Sequence, residues 1–277
     1  IDFHYPVIIP KHQDVSITKL NTHIKKIGMN KEDKIIITGG SGLVGHALVK
    51  VLSDHGFVNL FPLSSSDCDL IKKNEVEEVF GEIKPDYVFH LAAKVFGIGG
   101  NTKYQADVLY ENVMINTNVV ECARKLGVKK ILAMGSGCVY PDLGDEMLVE
   151  NQIWLGAPHD SVAAYAHSKR LILAHLDAIK AQDGTDYVFA VAGNIFGPHD
   201  SFNLEHGNVA PSLIHKFILA HRNKTPVSIW GSGIAVRDFS HSEDIAQALY
   251  LSMDYLTGPV NIGSGHRHKV VDIVNIL

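Results

Sequence analysis

The chain is poor in the features that would settle its chemistry at a glance. It holds three cysteines in 277 residues. Cys68, Cys122 and Cys138 have neither the spacing of a zinc site nor the density of a disulfide framework, and they suit a reducing compartment. No apolar run approaches the roughly 20 residues that cross a bilayer. The opening IDFHYPVIIPKHQ lacks the basic head and apolar core of a signal peptide. Charge is nearly balanced, with 25 basic against 30 acidic residues and a net of -5, which removes the electrostatic case for nucleic acid. No internal repeat or low-complexity tract is present. The expectation is a soluble, cytoplasmic protein with neither membrane nor nucleic-acid partners.

What the chain does have is alternation. Residues 1–33, with Pro6 and Pro10 and little periodicity, read as an N-terminal extension without assigned chemistry. From Lys34, KIIITGGSGLVGHALVKVLSDHG reads as an apolar strand, a glycine-rich turn and a helix with Leu43, Val44, Ala47, Leu48, Val51 and Leu52 on one stripe. VNLFPLS predicts a second strand, 75–80 a short helix, and DYVFHLAA a strand apolar enough for burial on both faces. A helix over 107–126 with Val113, Val119, Val120 and Ala123 inward, a strand KKILAMGS, a helix over 164–182 and a strand YVFAVAG follow. This pattern predicts an α/β fold, a doubly wound, mostly parallel Rossmann-type sheet over 34–193 whose ligands sit at the carboxyl ends of its strands. Residues 194–277, with a helix over 209–221, a strand PVSIWGSG and a helix from 242, read as a smaller substrate-binding lobe, part of whose helices return to the first domain.

Gly39, Gly42 and Gly45 are spaced G-x-x-G-x-x-G between strand and helix. A dinucleotide needs such a turn: tight, bare enough for a pyrophosphate to approach, and opening on free N–H groups at a helix start. A plain packing turn has less need of three glycines. The second strand ends in Leu63-Ser64-Ser65-Ser66 with no carboxylate directly after it. A carboxylate there would hold an unmodified ribose and repel a 2′-phosphate, so its absence favours NADP. Asp67 and Asp69 come later; Asp69 could meet the adenine edge, and Lys72 or Lys73 could serve the phosphate.

AYAHSK places Tyr165 and Lys169 four apart, one turn from each other on a helix face. A phenol of pKa about 10 is a poor acid-base group until a neighbouring ammonium and the positive charge of a nicotinamide stabilise its phenolate and lower it. Ser136, just past a strand end in GSGCVYPD, could hold a substrate oxygen while Tyr165 delivers a proton; for an isolated serine, a turn cap is the plainer reading. The 16 histidines show no metal-ligand spacing, His199-Asp200 and His206 included, and no metal is expected. His266-Arg267-His268-Lys269 reads as a solvated basic loop.

These segments resemble the extended short-chain dehydrogenase/reductase superfamily and, more narrowly, the GDP-L-fucose synthase family (GDP-4-keto-6-deoxymannose 3,5-epimerase/4-reductase). The resemblance is carried by TGGSGLVG, HLAAKVFGIGGN, GSGCVYPD, AYAHSK, GNIFGPHDSFN with APSLIHK, and WGSGIAVRDF, from about residue 34 onward. It implies a homodimeric NADPH-dependent enzyme that epimerises a GDP-4-keto-6-deoxy-hexose at C3 and C5 and reduces the C4 ketone. Mapped onto the matching motifs, the cofactor would meet Gly39, Gly40, Ser41, Gly42, Leu43, Val44, Gly45, Ser64, Asp69, Leu91, Ala92, Ala93, Lys169, Ala192, Asn194 and Ile195. Ser136, Tyr165 and Lys169 would be the reductase triad and Cys138 the epimerisation base. Lys94, Asn208, Lys216, Trp230 and Arg237 would bind substrate, the last three at the GDP part.

The chain departs from the family at one chemically important position. The second epimerisation residue is a histidine in the family, whereas the matching position here is Asn208, which has no proton to give at neutral pH. Three readings stay open: a 4-reductase that has dispensed with inversion, a dual-activity enzyme in which His206 replaces the acid, and a substitution introduced to trap substrate. Ala164 stands where proline is usual, and Ser136-Gly137 where a second hydroxyl is usual. The chain ends at Leu277, short of the family's length, so the lobe is expected to be truncated. A different class, a non-catalytic dinucleotide-binding sensor or structural subunit, would be expected to lose the tyrosine or lysine, and both are present.

Overall fold

The structure, a computed structural model, describes residues 28–144, 147–204, 207–229 and 231–277. The N-terminal extension up to residue 27 therefore lies outside the described residues. In chain order the elements are β1 Ile35–Thr38, α1 Leu43–Asp54, β2 Leu60–Leu63, α2 Lys73–Ile83, β3 Tyr87–His90, α3 Ile98–Lys103, α4 Gln105–Lys125, β4 Lys130–Met134, α5 Ala163–Asp183, β5 Asp186–Ala192, β6 Asn194–Phe196, α6 Val209–Asn223, β7 Val236–Arg237, β8 Phe239–His241, α7 Ser242–Tyr255, β9 Gly258–Ile262, β10 His268–Lys269 and α8 Val270–Ile276.

Six parallel strands form the central sheet in the order β2-β1-β3-β4-β5-β9. Each buried strand reads as a continuous apolar run because it is covered on both faces. The two-residue alternation sorts the side chains. Ile36, Val88, Ile131, Ala133, Phe189 and Val191 pack with residues of α2, α4 and α5, whereas Ile35, Ile37, Phe89, Leu132, Val188 and Ala190 pack with residues of α1 and α7. β1 lies between β2 and β3, so the connections from its two neighbours diverge there. Such a switch point opens a crevice at the carboxyl ends of the strands.

Three sequence expectations change. The helix expected over 75–80 runs from Lys73 to Ile83, because Val76 and Phe80 form a buried stripe that continues past Gly81. The strand expected over PVSIWGSG is not formed among the described residues 225–229. It is hemmed in by Pro226 and by Gly231 and Gly233 at φ of 71° and 73°, and the Ser228 carbonyl accepts from Lys216 Nζ at 3.3 Å. The unexpected strand is β9, which extends the main sheet beside β5. The remaining strands form two small pairs, β6 with β8 and β7 with β10.

One buried cation at the base of the sheet is satisfied by backbone. Lys130 Nζ donates to the carbonyls of Met253 and Leu256 at 2.8 and 2.6 Å, closing the C-terminal end of α7. Burial pushes its pKa down to about 8, Asp186 and Asp254 opposing the shift. At the start of the described chain, the Met29 N–H donates to Asp254 Oδ1 at 3.1 Å.

His90, the last residue of β3, is fully buried, and desolvation, aided by the charge of Lys169, pushes its pKa down to about 3. An unfolded histidine titrates near 6.5. Below that pH the unfolded chain binds a proton that the native ring refuses, so the contribution is complete above 6.5 and is lost as pH falls toward 3. Between pH 7 and pH 5 His90 should remove about 2 kcal/mol of stability, with His175, also lowered by burial, adding in the same direction. Urea unfolding at the two pH values is expected to show this loss, and His90→Gln to flatten it.

Candidate active site

The first catalytic candidates lie on α5, which ends at Gly184 in the left-handed region, φ 74°. Tyr165, Ser168 and Lys169 all face inward, with Ile172, Leu173 and Leu176 continuing the stripe. Lys169 is 1% exposed. Its Nζ donates to the Met134 carbonyl at the end of β4, 2.8 Å away, and lies 5.7 Å from the centroid of the Tyr165 ring. Burial pushes the Lys169 pKa down to about 8. Burial also pushes the Tyr165 phenol well above its ordinary value, with Cys138 adding in the same direction. Loss of water is the larger of the two causes. Burial thus favours the neutral phenol at Tyr165.

Ser136 and Cys138 follow β4. Ser136 Oγ accepts the Cys138 N–H at 3.3 Å and caps a short turn over Gly137–Val139. The capping role weighed for an isolated serine is thus real, and it uses a lone pair of the hydroxyl. The half-buried Cys138 thiol is pushed up by desolvation, with the Ser136 bond and the Arg237 charge opposing. Ser136, Cys138, Tyr165, Lys169 and Arg237 thus share one neighbourhood.

A dinucleotide fits the glycine turn on steric grounds. Gly39 has φ 72°, and a Cβ there would lie 2.9 Å from the Ala92 nitrogen, which makes the turn abut the Leu91-Ala92-Ala93 segment across the switch point. A Cβ on Gly45 would lie 2.1 Å from the Gly39 carbonyl oxygen; this glycine serves helix-to-turn packing. Gly42 differs, its Cβ meeting only the Gly39 oxygen at 3.3 Å. It is the N-cap of α1, with no side-chain cap, and it and Ser41 are exposed. Bare backbone at an uncapped helix start is what a pyrophosphate requires. Leu43 and Val44 continue the first turn half-buried, and Gly40 is held by its N–H to the Leu63 carbonyl at 3.0 Å.

The ribose end differs from expectation. Asp67 folds back so that its carboxylate accepts from the Ser64 N–H at 2.8 Å and from Ser64 Oγ at 2.5 Å, with Ser66 Oγ 2.7 Å from Ser64 Oγ. The Ser64 hydroxyl bond holds the Asp67 pKa below the ordinary carboxylate range. A carboxylate thus does stand at the end of β2, although not directly after it in sequence. Asp69 Oδ1 is taken by the Ile71 N–H at 3.1 Å. Lys72 pairs with Glu75 at 2.8 Å and Asp69 at 3.4 Å, and Lys73 with Glu77 at 3.7 Å, so either lysine would have to exchange partners to meet a phosphate.

The other candidates are distributed around the strand ends. Ala192 closes β5, and Asn194 opens β6 with its N–H and Nδ2 on the Asp238 carbonyl at 3.3 and 3.2 Å. Ile195 packs against the α1 and α7 side of the core. Lys94 is paired with Glu111 at 2.8 Å, and its backbone is clamped by Asn112, which accepts its N–H at 2.9 Å and donates to its carbonyl at 3.0 Å. Arg237 Nη1 donates to the Val236 carbonyl at 2.7 Å. Lys216 lines a cleft of about 260 Å³ with Leu219, Ala220, Thr225, Pro226, Val227 and Ser228. Asn208 is the N-cap of α6 and makes no side-chain cap bond. Trp230 and His206 lie outside the described residues. His199 stacks on His46 of α1, ring centroids 4.0 Å apart.

Comparison with known proteins places this arrangement. Residues 35–263 match the model of the NAD dependent epimerase/dehydratase family. GDP-L-fucose synthase 1 of Arabidopsis thaliana is 35% identical over 251 residues, 90% of this chain and 78% of that protein. The chain belongs to this family, in its GDP-L-fucose synthase branch. A GDP-L-fucose synthetase of Naegleria fowleri, solved bound to NADP, superposes with a TM-score of 0.83 at 31% identity, over 91% of this chain and 78% of that one. A GDP-mannoheptose C4 reductase of Campylobacter jejuni, with NADP bound, gives 0.81 at 28% identity, over 90% and 85%.

Sequence reasoning missed the polar residues that hold this family member's site in place. Asp238, buried beside Arg237, accepts from Ser264 and Gly265 N–H at 3.0 and 2.9 Å and from Ser240 Oγ at 3.0 Å. Asn112 and Asn116 sit one turn apart on the buried stripe of α4. Two amides at that spacing, on a face otherwise lined by Val108, Val119 and Ala123, were the available signal. The two glycines give a contrast to test. Gly45→Ala should destabilise the fold by about 1–3 kcal/mol through overpacking. Gly42→Ala should leave the unfolding midpoint nearly unchanged while weakening NADPH binding, measured by quenching of intrinsic fluorescence.

Proposed function

We propose that this protein reduces the C4 ketone of a GDP-4-keto-6-deoxy-sugar with NADPH, with little or no epimerisation at C3 and C5. The observation that carries the reading is Tyr165, a buried phenol beside a buried ammonium, in one neighbourhood with the Ser136 hydroxyl. NADPH bound at the glycine turn, as the Naegleria and Campylobacter relatives bind NADP, would supply the hydride. Ser136 donates a hydrogen bond to the ketone oxygen and holds it toward Tyr165. Tyr165 transfers its proton to that oxygen as negative charge develops there. Lys169, fixed on the Met134 carbonyl, stabilises the phenolate left behind. Arg237 and Lys216 are assigned to the diphosphate and nucleotide end, where cations meet phosphate oxygens.

The weak-epimerase part rests on two groups. Cys138 would have to become a thiolate to remove a proton alpha to the ketone, and its pKa is shifted the wrong way. Asn208, where the resemblance places the second residue, carries no titratable proton. A homodimer is part of the reading, supported by exposed Leu109 and Tyr110 on α4 and Leu171 on α5, apolar residues on two helices packed side by side.

Incubation with GDP-4-keto-6-deoxymannose and NADPH in deuterated water, followed by NMR of the product, tests the reading. The expected product is the 4-alcohol without deuterium at C3 or C5; deuterium there with inverted configuration overturns the weak-epimerase part, and no reduction overturns the whole. Tyr165→Phe should lower kcat by about 10²–10⁴-fold, the usual worth of a positioned acid, with NADPH affinity kept.

A further inference from the structure

We propose that His90 is a positioning residue, the centre of a buried strut Thr38–His90–Asn116 that holds the Tyr165–Lys169 stretch of α5 against the dinucleotide turn. Thr38 and His90 are the last residues of β1 and β3 and stand directly opposite each other. By strand alternation both point toward α4 and α5, as Ile36 and Val88 do. Thr38 Oγ1 is 2.7 Å from His90 Nδ1, and His90 Nε2 is 3.0 Å from Asn116 Oδ1. Asn116 Nδ2 is 3.2 Å from the Ser168 carbonyl, and Ser168 Oγ donates to the Tyr165 carbonyl at 2.6 Å.

The direction of each link is forced. A carbonyl only accepts, so the Asn116 corner facing Ser168 is the NH2 and the corner facing His90 is the oxygen. That oxygen also only accepts, so Nε2 carries the ring proton. The buried ring is neutral, so Nδ1 is bare and accepts from the Thr38 hydroxyl, whose own lone pair takes the Ala92 N–H at 3.3 Å. The chain thus starts beside Ala92, which abuts Gly39, and ends on Ser168, immediately before Lys169. A polar chain in an apolar core is tolerated only when every member is satisfied. A slide of α5 would break the Asn116–Ser168 link and misplace the phenol and the ammonium together. The catalytic consequence rests on the reductase reading; the geometry does not.

Two amide substitutions divide the strut. In His90→Gln the amide nitrogen falls near the place of Nε2 and keeps the donor to Asn116 while losing the acceptor for Thr38. In His90→Asn the amide oxygen falls near Nδ1 and does the reverse. Each variant breaks one link, so their unfolding midpoints should fall by similar amounts. His90→Asn should lower kcat by about 10–100-fold, the scale of a 1 Å misplacement, with the NADPH Kd within about threefold of wild type. His90→Gln should instead weaken NADPH about fivefold, the worth of one lost hydrogen bond beside the turn, with kcat lowered less than about fivefold. Parallel changes of kcat and Kd in both variants, following the loss of stability, or no change in either quantity, overturn the proposal. If the wild-type protein reduces no GDP-4-keto sugar, the reductase reading fails by itself. The strut is then judged by NADPH titration of the two variants and by ring ¹⁵N shifts. A neutral Nε2–H ring at pH 7 is expected; an Nδ1–H or charged ring overturns it.

Discussion

An ammonium sealed from water against a single carbonyl is the constraint from which the rest of the site follows. Lys169 gives up its hydration for the Met134 carbonyl, and the loss shows in its lowered pKa. Such a group is tolerable only where packing over-determines its place. The packing here comes from β4 and from the inward stripe of α5, Ile172, Leu173 and Leu176. The same exclusion of water that strains the lysine favours the neutral Tyr165 phenol. Both ends of the acid pair are therefore set by burial before any ligand arrives.

The sheet supplies the geometry that makes this burial useful. With β1 between β2 and β3, the glycine turn and the Leu91–Ala93 segment meet at one crevice, and β4 delivers Ser136 beside it. The glycines divide the work: Gly45 lets the helix seat on the turn, and Gly42 leaves backbone exposed at the helix start. The turn is held from the β2 side by Gly40 on Leu63 and is contacted from the β3 side by Ala92. Through these contacts the glycine turn, fixed from both neighbouring strands, lines the crevice at the strand ends.

Much of this was legible in the sequence because periodicity reports burial. The strands IIIT, YVFH and KILAM and the helices α1, α4 and α5 stand where their apolar spacing put them. What stayed hidden was long-range and polar. β9 shows itself as a sheet strand only through its pairing with β5, about 70 residues earlier in the chain. Asp67 reaches Ser64 only because the turn doubles back. The sign of the Tyr165 shift depended on how dry the site is, and a spacing of four residues carries no information about solvent. His90 and Asn116 read as polar interruptions of apolar runs until the register of β1 and β3 placed Thr38 opposite the ring.

One environment acts on Tyr165, Cys138, Lys169 and His90 in the same sense. Desolvation favours neutral forms, so it raises the phenol and the thiol and lowers the lysine and His90. For a phenol that must give a proton to a ketone oxygen, the neutral form is the working form. For a thiol that must take a proton from carbon, the neutral form is the idle one, and the Ser136 bond and the Arg237 charge only partly oppose the shift. Reduction and epimerisation thus make opposite demands on a dry pocket. A site that performs both must bring extra charge to the thiol and a second titratable group to the opposite face. On the proposed reading Asn208 stands at that position, and an amide has no proton to give there.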